Sequence, residues 1–214
     1  MGKVEVIFDD LNRLNINPTH KYVLYMHGCF CPPHRGHLEP ITQILKKVPH
    51  QNLTIFVNQI GGKRHGVDRK TNYFIMETYL KELYSHINYR HFKDLRRDEI
   101  LNDHNLRNID GIIITKGVEE HINLEDHSTL NKLTESNNRK YHYLTRKYNV
   151  NVLYLDRIGY SATKFTENMI ELKDKHNRHN KRENIRKCAD FIPDIGNEHK
   201  KIILKKLVKH KLIV

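Results

Sequence analysis

Two histidines, His34 and His37, stand three residues apart in the stretch Gly28-Cys29-Phe30-Cys31-Pro32-Pro33-His34-Arg35-Gly36-His37-Leu38. At a helix start, side chains at that spacing lie one turn apart and reach the same ligand. The glycine between them allows backbone to approach that ligand where a Cβ would intrude, and Gly28 does the same one turn of chain earlier. The chemistry that uses such a set is phosphate chemistry. Main-chain N–H groups and the positive end of the helix dipole face an anion, and two imidazoles add directed donors. The bland alternative is a pair of histidines that cap a helix and pack on Phe30.

Elements able to position this turn are visible on either side. A short apolar run, Tyr22-Val23-Leu24-Tyr25, precedes it, and Leu38, Ile41, Ile44, Leu45 and Val48 follow at helical spacing. Strand-like runs at 21–26, 53–57, roughly 88–92, 109–115 and 150–155 alternate with helical patterns at about 37–48, 69–86, 125–147 and 161–173. The expected fold is α/β, a Rossmann-like doubly wound parallel sheet of about five strands with helices on both faces and a C-terminal helical tail. Such sheets bind ligands at the carboxyl ends of strands beside the switch point. The 28–37 turn and Lys116-Gly117 both lie at strand ends of that kind. Residues 1–20 read as a polar lead-in. Residues 174–187 read as a basic connector, and Phe191-Ile192-Pro193 reads as a break before a last helix around 197–210. One domain is expected over 1–214, with its core at 21–172 and the connector and C-terminal helix at 173–214.

The pattern Gly28-x-Phe30-x-Pro32-x-His34-x-Gly36-His37 resembles the signature of the HxGH nucleotidyltransferase superfamily. That superfamily includes phosphopantetheine and nicotinamide-mononucleotide adenylyltransferases and small cytidylyltransferases. The resemblance implies that an acceptor phosphate attacks the α-phosphorus of a nucleoside triphosphate in line and pyrophosphate leaves. No covalent enzyme intermediate is needed, so alignment and charge neutralisation are the protein's task. His37 is then assigned to the α-phosphate in the transition state and His34 to the bound nucleotide phosphates. Gly28, Cys29, Phe30 and Gly36 line the nucleotide. Pro40 is compatible with this helix if it falls in the first turn.

Three further segments extend the likeness. Arg157-Ile158-Gly159-Tyr160-Ser161-Ala162-Thr163-Lys164 is similar to the family's Ser-rich second motif, which binds the β- and γ-phosphates. Ser161 and Thr163 match its hydroxyl positions, with Tyr160 and Lys164 beside them. Many members carry a basic residue three past that threonine, where Thr166 stands here, and Lys164 or Arg157 are the available substitutes. A plain N-cap by Ser161 is the alternative. Asp110–Gly117 looks like the family's fourth strand, with Lys116 a phosphate or base contact beside Gly117, although Glu119 and Glu120 depart from the adenylyltransferase pattern. Gly61-Gly62-Lys63-Arg64-His65-Gly66 reads as a loop able to close on phosphates. There Lys63 best matches a catalytic lysine and Arg64 comes next, and a generic exposed loop is the alternative.

Composition bounds the rest. Lys and Arg outnumber Asp and Glu by 37 to 25, a net charge of +12 that favours polyanionic ligands. Three cysteines give no disulfide framework, and Cys29-x-Cys31 lacks zinc-site spacing, so reduced structural thiols in a cytoplasmic protein are expected. No signal peptide and no long apolar run suggest a membrane partner. A class I aminoacyl-tRNA synthetase shares the His-x-Gly-His turn but needs a longer chain. The expected partners are a nucleoside triphosphate and a phosphorylated small-molecule acceptor, with Mg²⁺ bound through the nucleotide phosphates and no protein metal site. Nucleic acid is a secondary partner, and a homo-oligomer is open. The leading expectation is an adenylyl transferase using ATP. The alternatives are cytidylyl transfer to a sugar- or alcohol-phosphate and a catalytically weak nucleotide- or RNA-binding module.

Overall fold

The computed structural model describes residues 4–8, 10–62, 64–117, 126–155, 160–174 and 180–213. Six strands form one sheet: β1 (Glu5–Phe8), β2 (Tyr22–Gly28), β3 (Leu53–Gln59), β4 (Asn88–Lys93), β5 (Gly111–Gly117) and β6 (Asn149–Leu155). Their order is β1-β6-β5-β2-β3-β4, and every neighbouring pair is parallel. Among the described residues seven α-helices accompany them: α1 (Arg35–Leu45), α2 (Arg69–Tyr84), α3 (Arg97–Ile100), α4 (His127–Tyr141), α5 (Ala162–Lys173), α6 (Lys181–Asp190) and α7 (Asn197–Leu207).

The unbroken apolar runs of the central strands have a direct cause: both faces are covered. Along β2, Tyr22, Leu24 and Met26 enter one core while Val23 and Tyr25 enter the other. The first core receives Ile41 and Ile44 from α1, Ile75 and Met76 from α2, Phe165 and Met169 from α5, and Ile203 from α7. The second receives Ile100 from α3 and Tyr141 from α4. From β2 the chain steps outward through β3 to β4 with α1 and α2 on one face. It then steps the other way through β5 to β6 with α4 on the opposite face. Right-handed crossovers require that exchange of faces when the direction reverses. The reversal falls between β2 and β5, so their carboxyl ends diverge and leave a crevice.

Five sequence expectations change. The sheet has six strands rather than about five, because Glu5–Phe8 of the polar lead-in pairs with β6. Four residues with one buried side chain carry too little periodicity to be read as a strand. The basic stretch includes α6, whose buried face is only Asn184 and Cys188. The 125–147 helix ends at Tyr141 and continues as a 3₁₀ turn over His142–Arg146. The short helix α3 had no periodic signal. Pro40 stands at the sixth residue of α1, past the first turn, so the Gly36 carbonyl lacks the N–H that residue 40 would supply.

No helix among the described residues is long and apolar enough to cross a membrane. After α7 the chain returns to the 64–66 turn, where the Ile213 N–H donates to the His65 carbonyl at 3.2 Å. His210 lies 3.3 Å from Asp68, the N-cap of α2.

Asp68 accepts from the Thr71 N–H at 2.7 Å and from its hydroxyl at 3.1 Å. Burial pushes the Asp68 carboxyl up, but these bonds and the His210 charge outweigh it and hold the pKa below the ordinary carboxylate value. Asp68→Ala should cost about 1 kcal/mol, a melting-temperature drop of roughly 2–4 °C for a chain this size. A depressed carboxylate stabilises fully above its unfolded pKa and loses that contribution as pH falls through the folded one. Thermal melts should therefore show the variant's deficit at neutral pH and its disappearance in acid.

Candidate functional site

Between β2 and α1 the chain turns through Phe30, whose φ of +46° is in the left-handed region. His34 is the N-cap of α1: its Nδ1 accepts from the Gly36 N–H at 3.1 Å. The His34 N–H in turn donates to His37 Nδ1 at 3.2 Å. This is a capping box built from two imidazoles in place of the usual hydroxyl and carboxylate. A neutral imidazole whose Nδ1 accepts carries its proton on Nε2, so each ring offers an Nε2–H donor. The rings lie 3.8 Å apart between centroids. His37 faces the crevice, edge-on to Phe30 at 5.1 Å, whereas His34 is fully buried behind it.

The C-terminal third of the chain braces this helix start. The Arg35 N–H donates to the Phe191 carbonyl at 2.7 Å and the Arg35 guanidinium to the Ile192 carbonyl at 3.1 Å. Phe191 stacks on Phe165 at 5.2 Å and meets Tyr160 edge-on at 5.5 Å and His34 at 6.3 Å. The break at 191–193 is therefore a buttress as well as a turn. Gly36 is required by this packing, since a Cβ there would stand 2.7 Å from Tyr160 Cβ and 3.1 Å from His34.

The crevice encloses about 130 Å³. That suits a phosphate group, against the roughly 300–1,000 Å³ of pockets that enclose a drug-sized ligand. Gly28, Cys29, Phe30, Gly36 and His37 line one side, with Lys116 and Gly117 of β5 opposite and Ala162 at the start of α5. Seven of the sequence-selected residues thus meet in one place. The Cys29 and Cys31 sulfurs are 2.7 Å apart, and Cys31 also receives the Asn72 amide at 3.1 Å.

Around α5 the picture is mixed. Ser161 caps the helix, accepting from the Lys164 N–H at 3.1 Å, which leaves its hydroxyl hydrogen able to donate outward. Tyr160 and Thr163 are half-buried and do not line the crevice, and Lys164 is exposed. Thr166 is buried, its hydroxyl donating to the Ala162 carbonyl at 2.7 Å, so that position supplies no cation. Lys63, Glu119, Glu120, Arg157, Ile158 and Gly159 lie outside the described residues. Arg64 opens the 3₁₀ turn over Arg64–Gly66.

On the far wall, sequence reasoning found Lys116 and Gly117 but missed their neighbours. His27 also lines the crevice, 3.1 Å from the Asn58 amide. Burial pushes its pKa down, and Lys140, Arg97 and Lys116 push it further. Lys116 donates to Asn137 at 2.6 Å and to the Tyr154 hydroxyl at 3.3 Å. Burial and the Arg97 charge lower its pKa also. Period-two alternation puts His27 on the face of Tyr25, but only the pairing of β2 with β5 brings it beside Lys116.

No family model and no curated protein matches the chain. Among solved structures it is similar to Plasmodium falciparum nicotinic acid mononucleotide adenylyltransferase complexed with NaAD. The two are 12% identical over 89% of this chain and 96% of that one, with a TM-score of 0.51. A second likeness, to the U34-tRNA thiolase NcsA from Methanococcus maripaludis with its 4Fe-4S cluster, spans 91% of this chain and 67% of that one at 12% identity. Its TM-score of 0.35 is too low to indicate shared architecture. At such identity the first likeness concerns the fold: a parallel six-stranded sheet flanked by helices, of Rossmann-like type.

Helix propensity alone favours Ala over Gly by about 1 kcal/mol in a helix. At Gly36 the sign should reverse, because Tyr160 Cβ is fixed by its own backbone and cannot swing aside. Gly36→Ala should lower the melting temperature. In a Tyr160→Gly background the same change should cost less, and equal costs in the two backgrounds would refute the contact as the cause.

Proposed function

We propose that this chain is a nucleotidyltransferase that moves the AMP unit of ATP onto a small phosphorylated metabolite and releases pyrophosphate. One observation carries the reading. Two imidazoles, each with Nδ1 held by a backbone N–H, open a helix at the switch point of a parallel sheet, with a second helix start beside them. An oxygen of the acceptor phosphate forms the new bond to the α-phosphorus as the bond to the bridging oxygen of the pyrophosphate breaks. The His37 Nε2–H donates to a non-bridging α-phosphate oxygen, where charge changes most in the transition state. His34 holds His37 in place through its own N–H and lies beneath the nucleotide phosphates. The α5 amides and the Ser161 hydroxyl take the outer phosphates. Lys63 is the cation expected from the 61–66 loop. Magnesium carried on the triphosphate is part of the substrate, bound by phosphate oxygens and water.

Thr166 supports a second reading, a nucleotide-binding module with little turnover, because its buried hydroxyl stands where related enzymes carry a cation.

A pyrophosphate-release screen tests both. It pairs ATP, CTP, GTP and UTP with phosphopantetheine, nicotinamide mononucleotide and sugar- or alcohol-phosphates. Turnover with ATP is expected, and turnover with CTP would favour the cytidylyl alternative. His37→Ala should reduce the rate by ~10²–10³, the loss typical of one preorganised donor. A full-rate His37→Ala enzyme would refute the mechanism, and tight ATP binding without turnover would favour the binding module.

A further inference from the structure

Across the crevice from α1, three cations gather round a single ring. The Arg97 guanidinium carbon lies 5.1 Å from the Tyr141 centroid, the Lys140 ammonium 5.5 Å and the Lys116 ammonium 5.6 Å. They come from α3, the last turn of α4 and the end of β5. Among the described residues no carboxylate pairs with any of them, although Arg96, one position before Arg97, pairs with Asp98 at 2.9 Å. Arg97 Nε is buried and has no hydrogen-bond partner among the described residues. Burial, followed by the charges of Lys116 and Arg97, lowers the pKa of Lys140, as burial and Arg97 lower that of Lys116.

Local structure does not account for the gathering. Lys140 sits at a helix C-terminus, which favours a cation, but Arg97 opens α3, the end that disfavours one. Attraction to the Tyr141 face, and for Lys116 also to the Tyr154 ring at 5.3 Å, offsets part of the mutual repulsion, yet two rings serve three cations. Like charges held together without counter-charge attract an oxyanion.

The position says which one. Lys116 and His27 line the same crevice as His37. However, Tyr141, Tyr154 and Tyr25 belong to the core on one face of the sheet, while α1 and α5 pack on the other. Of the three cations only Lys116 lines the crevice, so a triphosphate on the two helix starts leaves Arg97 and Lys140 to the second substrate. We infer that Arg97, Lys116 and Lys140 form an oxyanion subsite for a second acidic group of the acceptor, separate from the phosphate that attacks the nucleotide. The substrate class is then a phosphorylated metabolite that also carries a carboxylate or another phosphate. The term acceptor rests on the nucleotidyltransfer reading, whereas the oxyanion subsite itself does not.

Inorganic phosphate and acetate are the probes, titrated into the full chain while the Arg97 Nε–H resonance is followed by NMR. Phosphate should move that resonance saturably. Read instead from the Lys116 backbone amide, phosphate binding at this site should weaken at least tenfold in Arg97→Met with Lys140→Met, while the affinity for a non-hydrolysable ATP analogue stays unchanged. Methionine keeps an apolar stem over Tyr141, and Lys140→Met alone, at the more exposed of the two positions, should give part of the loss if the double variant folds poorly. His37→Ala should leave the Arg97 response intact. Acetate acting at the same residues assigns a carboxylate-bearing acceptor, and phosphate acting alone assigns a phosphate-bearing one. A phosphate affinity indifferent to Arg97 and Lys140 overturns the subsite. An Arg97-dependent phosphate site in a chain that releases no pyrophosphate keeps the subsite and rejects the transferase.

Discussion

The hydrogen bonds from the Gly36 N–H to His34 Nδ1 and from the His34 N–H to His37 Nδ1 set the terms for everything near them. Each engages the ring nitrogen that would otherwise be an uncommitted acceptor, so each imidazole carries its proton on Nε2, and His37, the ring at the crevice, aims it there while His34 stays buried behind. Such bonds hold only if the first turn of α1 is itself held still. Its support comes from a different part of the chain: Arg35 reaches the Phe191 and Ile192 carbonyls, and Phe191 is wedged between Phe165, Tyr160 and His34. The requirement for glycine at position 36 follows from the closeness of Tyr160 in the same packing. Removing any of these supports loosens the tautomer lock before it touches a ligand.

The sheet adds a second constraint, because a strand pair that diverges at the switch point has two different faces at its carboxyl ends. On one, α1 and α5 present backbone amides, a diffuse positive field that needs no charged side chain. On the other, Arg97, Lys116 and Lys140 present full charges over tyrosine rings. The two kinds of positive potential meet across a crevice of about 130 Å³. A small volume suits chemistry at one phosphorus atom, with the larger parts of both substrates lying outside it.

What the sequence made legible followed its periodicity. β2 and α1 announce themselves through Tyr22–Tyr25 and the spacing of Leu38, Ile41 and Ile44, and these bring Gly28 and the paired histidines to a strand end. β1 escaped because four residues with one buried side chain carry no period. α6 escaped because its buried face is two residues in a run of charge. Pro40 misled for another reason: its fixed φ and missing N–H argue for the first turn, and the structure accepts the lost bond deeper in the helix. Of the cations opposite, Lys116 was legible at its strand end, whereas its companions were not. Arg97 and Lys140 are 43 positions apart and meet only because α3 and α4 cover the same face, a fact of topology with no local signature.

The reach from Arg35 to Ile192 spans 157 positions. During synthesis β2, the turn and α1 emerge early, yet the wall behind the histidines arrives only when the chain has grown by a further 157 residues from Arg35. An early-folding N-terminal half would own the motif without owning a rigid site. This contact across 157 positions is therefore also the one that makes the imidazoles hold their aim, so the motif becomes a rigid site only after that late closure.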